Sequence, residues 1–162
     1  MSKTFEIQQE LTCPVEVAYA VITDPEYWRN RFAEKPDNYE LDAVPGAFAI
    51  TVRDTITADS LPAIVRPVVS GDIVAERRDV WAAPSGDSAT GTVNATASGV
   101  PLTVEGTLEL VPSATGSTLR ASGSITVKIP LIGGQIESMM RKMVEDMLVR
   151  DRDRIEEWLA RA

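Results

Sequence analysis

Histidine is absent from this sequence of 162 residues, and cysteine and lysine are scarce. Because histidine is the commonest general base and metal ligand near neutral pH, its absence excludes Ser-His-Asp and Cys-His catalytic sites. The chain has one cysteine, Cys13, and four lysines, and it lacks nucleotide-binding glycine turns, phosphate-binding loops and multi-cysteine metal motifs. We therefore expect no metal site and no cofactor. Any catalysis would have to use carboxylates, arginine, tyrosine or a Ser-Lys pair.

Long apolar runs and basic patches are also missing. The longest apolar runs have about six residues, such as residues 17–22, against the roughly 20 needed to span a bilayer. Residues 1–10 show no secretory signal pattern, and a single cysteine cannot form an internal disulfide. The net charge of −8 opposes binding to nucleic acid or anionic lipid. We predict a cytoplasmic protein with no integral membrane segment and no nucleic-acid partner, folded as one domain over residues 1–162.

The last quarter of the chain, residues 135–162, has the pattern of one long amphipathic helix. Apolar residues recur there at spacings of three, four and seven, so at about 100° per residue they form one stripe. The stripe consists of Ile136, Met140, Met143, Val144, Met147, Ile155 and Trp158, with Glu137 among the polar residues outside it. Gly133 and Gly134 predict a flexible joint before the helix. At about 1.5 Å per residue the helix would be about 40 Å long, so it needs a long apolar partner.

The segments before this helix predict mainly strands. Residues 4–11 alternate polar and apolar side chains, as a half-buried strand does, and Pro14 and Asp24 each mark the start of a short helix. From Tyr39 onward, alternation and short turns predict about six antiparallel strands, interrupted at residues 61–69 by a proline-containing loop. A curved sheet of six or seven strands wrapped around the C-terminal helix would bury the apolar stripe. The predicted class is α+β.

Two stretches of the chain, residues 11–19 with 24–28 and residues 127–137, together with this order of elements, resemble the helix-grip fold of the SRPBCC superfamily. Residues 11–19 (Leu-Thr-Cys-Pro-Val-Glu-Val-Ala-Tyr) and residues 24–28 (Asp-Pro-Glu-Tyr-Trp) look like its N-terminal signature. Residues 127–137 (Val-Lys-Ile-Pro-Leu-Ile-Gly-Gly-Gln-Ile-Glu) are similar to the passage into the last helix in an uncharacterised, mostly actinobacterial branch. The superfamily includes START lipid-transfer domains, pollen-allergen-like proteins, polyketide cyclases and coenzyme Q-binding proteins. The resemblance implies a small hydrophobic ligand, lipid- or polyketide-like, held between the sheet and the last helix.

Asp151 is the polar residue that interrupts the helix stripe. It falls between Met147 and Ile155, where an apolar residue is expected, and a buried carboxylate is costly unless it is paired. Either Asp151 pairs with Arg150 or Arg154 on its own helix, or the helix has left the core by that point, or the carboxylate is a polar anchor inside a cavity. Charged residues of the strands, Arg53, Asp54, Arg77 and Asp79, are expected to face solvent, although a register slip of one residue would reverse this.

The candidate ligand-binding residues are Trp81, Met140, Met143, Met147 and Asp151. Methionine suits a site for varied apolar ligands because its side chain is flexible, although it is equally ordinary as core filler. Cys13, at a helix start, would either have a lowered thiol pKa or be a buried or capping residue.

Three hypotheses for function remain open at this point. The first is a noncatalytic carrier or sensor of a small hydrophobic molecule, with a cavity of roughly a few hundred Å³ or more. The second is a cyclase- or hydrolase-like enzyme in which a cavity carboxylate or arginine handles protons or polarises a carbonyl; this requires Asp151 to meet another titratable residue within a pocket. The third is a protein-interaction subunit whose cavity is vestigial, which an exposed apolar patch would favour.

Overall fold

The computed structural model describes residues 2–69 and 71–161. Within this part of the chain, seven strands and three α-helices form the α+β helix-grip architecture that the sequence predicts. In chain order the elements are β1 Ser2–Leu11, α1 Val15–Ile22, α2 Pro25–Arg31, β2 Tyr39–Val44, β3 Ala47–Ile56, β4 Ile73–Ala82, β5 Ala89–Ala97, β6 Val100–Ser113, β7 Gly116–Val127 and α3 Gly133–Ala160. The predicted helix end at Ala162 lies outside the described residues.

All seven strands belong to one antiparallel sheet in the order β1-β7-β6-β5-β4-β3-β2. Gly106 in β6 lies opposite Gly123 in β7, which lies opposite Phe5 in β1 on its other side. A Cβ atom on Gly123 would lie 2.0 Å from the carbonyl oxygen of Glu105, and one on Gly106 would lie 2.5 Å from that of Ser122. Only glycine permits so close an approach, and glycine at such positions lets a sheet bend. The β6–β7 pair therefore depends on glycine at both of these positions.

The two short helices after β1 begin where the sequence predicts. The Asp24 carboxylate accepts a hydrogen bond from the backbone N–H of Glu26 at 2.9 Å, and Pro25 occupies the first helical position, which is the usual N-terminal pairing of a capping side chain with proline. The indole N–H of Trp28 donates to the carbonyl oxygen of Ile22 at 2.7 Å. This bond ties α2 back to the end of α1 and places Trp28 in the core.

Helix α3 packs against β1 and β7 and is held to them by polar contacts as well as apolar ones. Glu156 accepts hydrogen bonds from the backbone N–H and the hydroxyl of Thr12, at 2.8 and 2.6 Å, and Arg152 donates to the side-chain oxygen of Gln9 at 2.6 Å. No helix in the described part of the chain has both the length and the apolar character needed to cross a bilayer.

The buried face of α3 is turned relative to the predicted stripe. Its centre is formed by Glu137, Val144, Leu148, Asp151 and Ile155, all of which are buried. Leu148, absent from the predicted stripe, has no exposed surface, whereas the predicted member Met143 is 47% exposed. At about 100° per residue, Met143 points roughly 120° away from the direction of Glu137 and Ile155. The sequence contains apolar residues on both sides of the buried face, so the periodicity alone does not locate its centre.

Glu137 was predicted to lie outside the apolar stripe, and this is wrong. Glu137 is only 2% exposed, and its carboxylate accepts a hydrogen bond from the backbone N–H of Val127 at 3.0 Å. The bond satisfies the last amide of β7 at the point where the chain leaves the sheet, so a buried acid at this position caps the strand end.

The prediction of a flexible joint at Gly133 and Gly134 is also wrong. Both glycines already lie in the first turn of α3, and a Cβ atom on Gly133 would lie 3.0 Å from the carbonyl oxygen of Val127. The chain instead turns at Leu131, which adopts φ of 71° and has a fully exposed side chain. Left-handed backbone is strained for a branched side chain, so the turn depends on the surrounding contacts and not on glycine freedom.

Between β3 and β4, the described residues 57–69 and 71–72 are irregular apart from two turns of 3-10 helix, Ala58–Ser60 and Arg66–Val68. The prolines at positions 62 and 67 predicted this interruption of the strands. Leu61 and Val65 are buried and hold the segment against the body of the fold.

Candidate functional site

Four charged side chains form a cluster in the interior. Asp151 Oδ1 accepts a hydrogen bond from Arg31 Nη2 at 3.0 Å, and its Oδ2 accepts one from Arg77 Nη2 at 2.9 Å. Arg77 also binds Asp79 with two bonds, from Nε at 2.9 Å and from Nη2 at 2.7 Å. The chain of contacts therefore runs from α2 through α3 to β4, and its two positive charges balance its two negative charges.

The alternation of β4 places two members of this charge cluster inside the fold. Side chains two residues apart on a strand share one face, so Arg77 and Asp79 lie on the same face as Ile73 and Trp81. The side chains of Arg77 and Asp79 are only 17% and 7% exposed. The expectation that they face solvent is wrong. Asp54, by contrast, is exposed and Arg53 is partly exposed.

Asp151 pairs across the fold and not along its own helix. Neither of the predicted partners, Arg150 and Arg154, forms an ion pair with it; the partners are Arg31 and Arg77. Arg31 lies at the end of α2, and its Nη1 also donates to the hydroxyl of Tyr27 at 3.1 Å. Arg31 was not singled out from the sequence, where the only signal was its spacing of four residues from the aromatic Tyr27.

The electrostatics of the cluster differ between its two acids. Burial disfavours the charged form of Asp151, but the positive charges of Arg77 and Arg31 and the hydrogen bonds they donate outweigh it, and the pKa of this carboxyl is lowered. Burial also disfavours charge on Asp79, and Arg77 alone does not offset it, so the pKa of Asp79 is raised. Asp151 is thus the fixed anion, and Asp79 is the acid more readily protonated.

A small cavity adjoins the charge cluster between the sheet, α2 and α3. Its lining consists of Ile22, Tyr27, Trp28, Arg31, Arg77, Asp79, Trp81, Leu108, Leu119, Leu148, Asp151 and Ile155. About 20 Å³ of it is open to the centre of a water molecule, which is room for about one or two waters. The predicted cavity of a few hundred Å³ is therefore wrong for this conformation, because aromatic and leucine side chains fill most of the space.

Arg77 lines this cavity, and one nitrogen of its guanidinium group makes no hydrogen bond to the described residues. Its hydrogen bonds leave from Nε and Nη2, and no acceptor among residues 2–69 and 71–161 is bonded to Nη1. Burial alone would lower the pKa of Arg77, but the charges of Asp151 and Asp79 raise it, so the guanidinium is a permanent cation. The cavity thus contains an apolar wall and a charged hydrogen-bond donor.

Two of the five predicted ligand-binding residues border this cavity, and the other three do not. Trp81 and Asp151 line the cavity. Met140 and Met147 are half-buried and pack against the core, and Met143 is 47% exposed; none of the three borders this cavity. Their role in ligand binding stays a prediction. Trp81 faces inward for the same reason as Arg77, because both occupy odd-numbered positions of β4.

A second pocket opens on the surface between α2 and the end of α3. It is lined by Tyr27, Asn30, Arg31, Arg154, Glu157, Trp158 and Arg161, and about 60 Å³ of it is open to the centre of a water molecule. Tyr27 and Arg31 border both this pocket and the interior cavity, so these two side chains separate them.

Cys13 is buried and free. Burial raises the pKa of its thiol, and the negative charge of Glu156 raises it further. A raised pKa suppresses the reactive thiolate, which fits a buried structural role and contradicts the alternative of a lowered pKa.

A family model described as "Protein of unknown function (DUF2505)" matches residues 6–159. The chain belongs to this family. Uncharacterised proteins of Mycobacterium tuberculosis and Mycobacterium bovis are 23% identical to it over 159 residues, covering 91% of this chain and 91% of each relative. These relatives agree with the actinobacterial branch that the sequence resembles.

Solved structures of other proteins share the fold of this DUF2505 member at low sequence identity. A putative uncharacterised protein from Rhizobium leguminosarum has a TM-score of 0.61 and 14% identity, covering 100% of this chain and 97% of that chain. The Zhui aromatase/cyclase from Streptomyces also has a TM-score of 0.61, with 13% identity over 96% of this chain and 92% of its own. Human STARD10 has a TM-score of 0.57 and 13% identity, covering 98% of this chain and 66% of that chain. These likenesses establish the helix-grip fold that the sequence predicts.

Proposed function

We propose that the protein binds a small, largely apolar molecule, lipid- or polyketide-like, between the sheet and α3. The observation that supports this function is the interior cavity, in which Leu108, Leu119 and Leu148 form apolar walls and Arg77 supplies a charged donor. Sites for small molecules commonly combine apolar walls with a few polar groups that fix orientation. In this proposal Nη1 of Arg77 donates to one carbonyl or hydroxyl oxygen of the ligand. We also propose that the protein acts in the cytoplasm.

Binding in this proposal requires the cavity to enlarge. Tyr27, Trp28 and Arg31 all line it, and all three belong to α2, a helix of seven residues. We propose that the side chains of Tyr27 and Trp28 move away from the sheet when a ligand binds, while Arg31 keeps its ion pair with Asp151. Asp151 would therefore keep a positively charged partner throughout, and in a variant without Arg77 that partner is Arg31.

A fluorescence titration with prodan tests the proposal. Prodan is an uncharged naphthalene with a carbonyl acceptor, and its emission shifts to the blue in apolar surroundings. The test variant is Arg77→Met/Asp79→Leu, which removes two paired charges together and so avoids an unpaired buried ion. The control is Arg53→Met/Glu76→Leu, which removes an ion pair between β3 and β4 whose side chains are 41% and 45% exposed.

The proposal predicts that the parent and the control bind prodan with a blue shift, and that the test variant binds at least tenfold more weakly. N-phenyl-1-naphthylamine has no carbonyl group, so its affinity should change by less than threefold between the test variant and the control. An absence of prodan binding by the folded parent would overturn the proposal. Equal affinities of the test variant and the control for prodan would show that Arg77 does not bind the ligand.

An enzyme of cyclase or hydrolase type is the second candidate, favoured by the meeting of Asp151 with Arg77 inside a cavity. Asp151 is a weak base because two arginines stabilise its anion, whereas the raised pKa of Asp79 suits proton transfer. Hydrolysis of p-nitrophenyl butyrate by the parent and by Asp79→Asn is the test. A rate for the parent no greater than for the variant would count against catalysis of this kind.

A further inference from the structure

We propose that the surface pocket between α2 and the end of α3 binds an anion, namely a phosphate or carboxylate group. We call it the arginine pocket; its cations are Arg31, Arg154 and Arg161. The two sites share Tyr27 and Arg31, but Arg154 and Arg161 line only the surface opening, so the inference does not depend on the interior ligand-binding function proposed above.

The charge of the pocket is opposite to that of the chain. Arg154 and Arg161 line it against one carboxylate, Glu157, although the whole chain has a net charge of −8. Arg31 adds a third guanidinium group, whose charge Asp151 already balances. The closest contact between Arg154 and Glu157 is 3.8 Å, and both side chains are more than half exposed, so this pair is weak. Asn30 adds a side-chain amide to the lining. The pocket therefore presents more donors and more positive charge than its own residues satisfy.

Aromatic and ionic contacts hold two of the cations in place. The guanidinium carbon of Arg161 lies 3.4 Å from the centre of the Trp158 ring, and Trp158 packs edge-on against Tyr27, with ring centres 5.7 Å apart. Arg31 is fixed from the interior by Asp151 and by the Tyr27 hydroxyl. Guanidinium groups present forked donors that match carboxylate and phosphate oxygens. Donors already held in position lose less conformational entropy when such a group binds.

Arginines near a helix C-terminus have another explanation, since they offset the negative end of the helix dipole. This accounts for positive charge on Arg154 and Arg161, but it does not account for their convergence with Arg31 of α2 around one opening. The opening has about 60 Å³ available to water centres, enough for roughly four to six water molecules. One phosphate or carboxylate group would replace several of these waters.

Isothermal titration calorimetry with inorganic phosphate, decyl phosphate and decanol tests the proposal. The test variant is Arg154→Gln/Arg161→Gln. The matched control is Arg29→Gln/Arg141→Gln, which changes the net charge by the same amount and removes two exposed arginines, 69% and 41% exposed, that do not line the pocket. The single variant Arg161→Gln provides a milder second test if the double variant is poorly folded by circular dichroism.

The parent and the control should bind decyl phosphate, with affinity that weakens as salt is added. The test variant should lose at least tenfold in affinity, and Arg161→Gln at least threefold. If inorganic phosphate binds as tightly as decyl phosphate, the pocket takes a free anion; tenfold tighter binding of decyl phosphate identifies the headgroup of an amphiphile.

Equal affinities for decyl phosphate in the test variant and the control would overturn the proposal, as would the absence of any response of the parent to both phosphates. The interior binding function and the arginine pocket can each be disproved without the other. If prodan binds but neither phosphate does, only the arginine pocket is wrong; if phosphate binds but prodan does not, only the interior site is wrong.

Discussion

Oδ2 of Asp151 lies 2.9 Å from Nη2 of Arg77, and this contact joins the C-terminal half of α3 to β4 across the interior. The same nitrogen lies 2.7 Å from Oδ2 of Asp79, so one guanidinium serves two carboxylates. Both side chains of the α3–β4 contact are at most 17% exposed. The position of α3 over the sheet therefore depends on a buried ionic contact as well as on apolar packing.

Replacing Asp151 with Asn should destabilise the protein strongly. The change leaves Arg31 and Arg77 buried with too little negative charge, and breaking a buried pair from one side costs about 3–5 kcal/mol. Asp146→Asn is the control, because Asp146 is an exposed acid on the same helix; its cost should stay below about 1 kcal/mol. Urea unfolding measures both. A cost for Asp151→Asn no larger than that of the control would show that water, not the two arginines, satisfies Asp151.

The stability that Asp151 contributes should depend on pH in a known direction. Its pKa in the folded protein is below the ordinary value of 3.8, so the contribution is complete above that value and is lost as the pH falls through the lower folded-state pKa. The difference in unfolding free energy between the parent and Asp151→Asn should be constant from about pH 5 to 7 and shrink below about pH 4. A difference that stays unchanged down to pH 2.5 would contradict the lowered pKa.

Asp79 should behave in the opposite way. Its folded-state pKa is raised above 3.8, so the protonated form is favoured by folding, and that stabilisation is lost as the pH rises through the raised value. Compared with Asp79→Asn, the parent should therefore become less stable as the pH rises above about 4. Unfolding curves at intervals of half a pH unit measure this, and a parent that gains stability relative to the variant over that range would be inconsistent with the raised pKa.

Two α3 substitutions distinguish the observed buried face from the predicted one. Leu148→Ala should cost about 2–5 kcal/mol, because Leu148 is fully buried and truncation leaves a cavity. Met143→Ala should cost less than about 1 kcal/mol, because this side chain is 47% exposed. Guanidinium unfolding of both variants is the measurement. A larger cost for Met143→Ala than for Leu148→Ala would mean that α3 is rotated from the position described.

Two glycines provide a matched test of the sheet geometry. A Cβ atom on Gly123 would meet the Glu105 carbonyl oxygen at 2.0 Å, so Gly123→Ala should shift the backbone and cost about 1–3 kcal/mol or more. Gly134, in the first turn of α3, has no atom within 4 Å of such a Cβ. Gly134→Ala should therefore stabilise the protein by about 0.4–1 kcal/mol. Thermal unfolding should show shifts of opposite sign, and two shifts in the same direction would not fit the close approach of β6 and β7.

The elements of the fold could be predicted because their signals are local. The Asp24-Pro25 helix start, the alternation in β1 and the helical period of α3 each depend on residues close together in the chain, and each is confirmed. The family resemblance added the order in which these elements pack, which the comparisons also confirm.

The candidate site was predictable only in part, because it depends on which face each element turns inward. In β4 both faces carry charges: Arg77 and Asp79 on one, Glu76 and Arg78 on the other. The shared odd positions of Ile73 and Trp81 were the only sequence signal for the inward face, and the valines at even positions obscured it. Asp151 was found because it interrupts a helical stripe, but its partners are 74 and 120 residues away, beyond any local pattern.

The protein-interaction hypothesis stays a prediction.

Native mass spectrometry of the protein purified from the organism that makes it tests the central claim most directly. The account predicts a mass above that of the 17.6 kDa chain by one small, largely apolar molecule, retained by Arg53→Met/Glu76→Leu and lost from Arg77→Met/Asp79→Leu. The bare mass of the chain, both as purified and after addition of prodan, would contradict it.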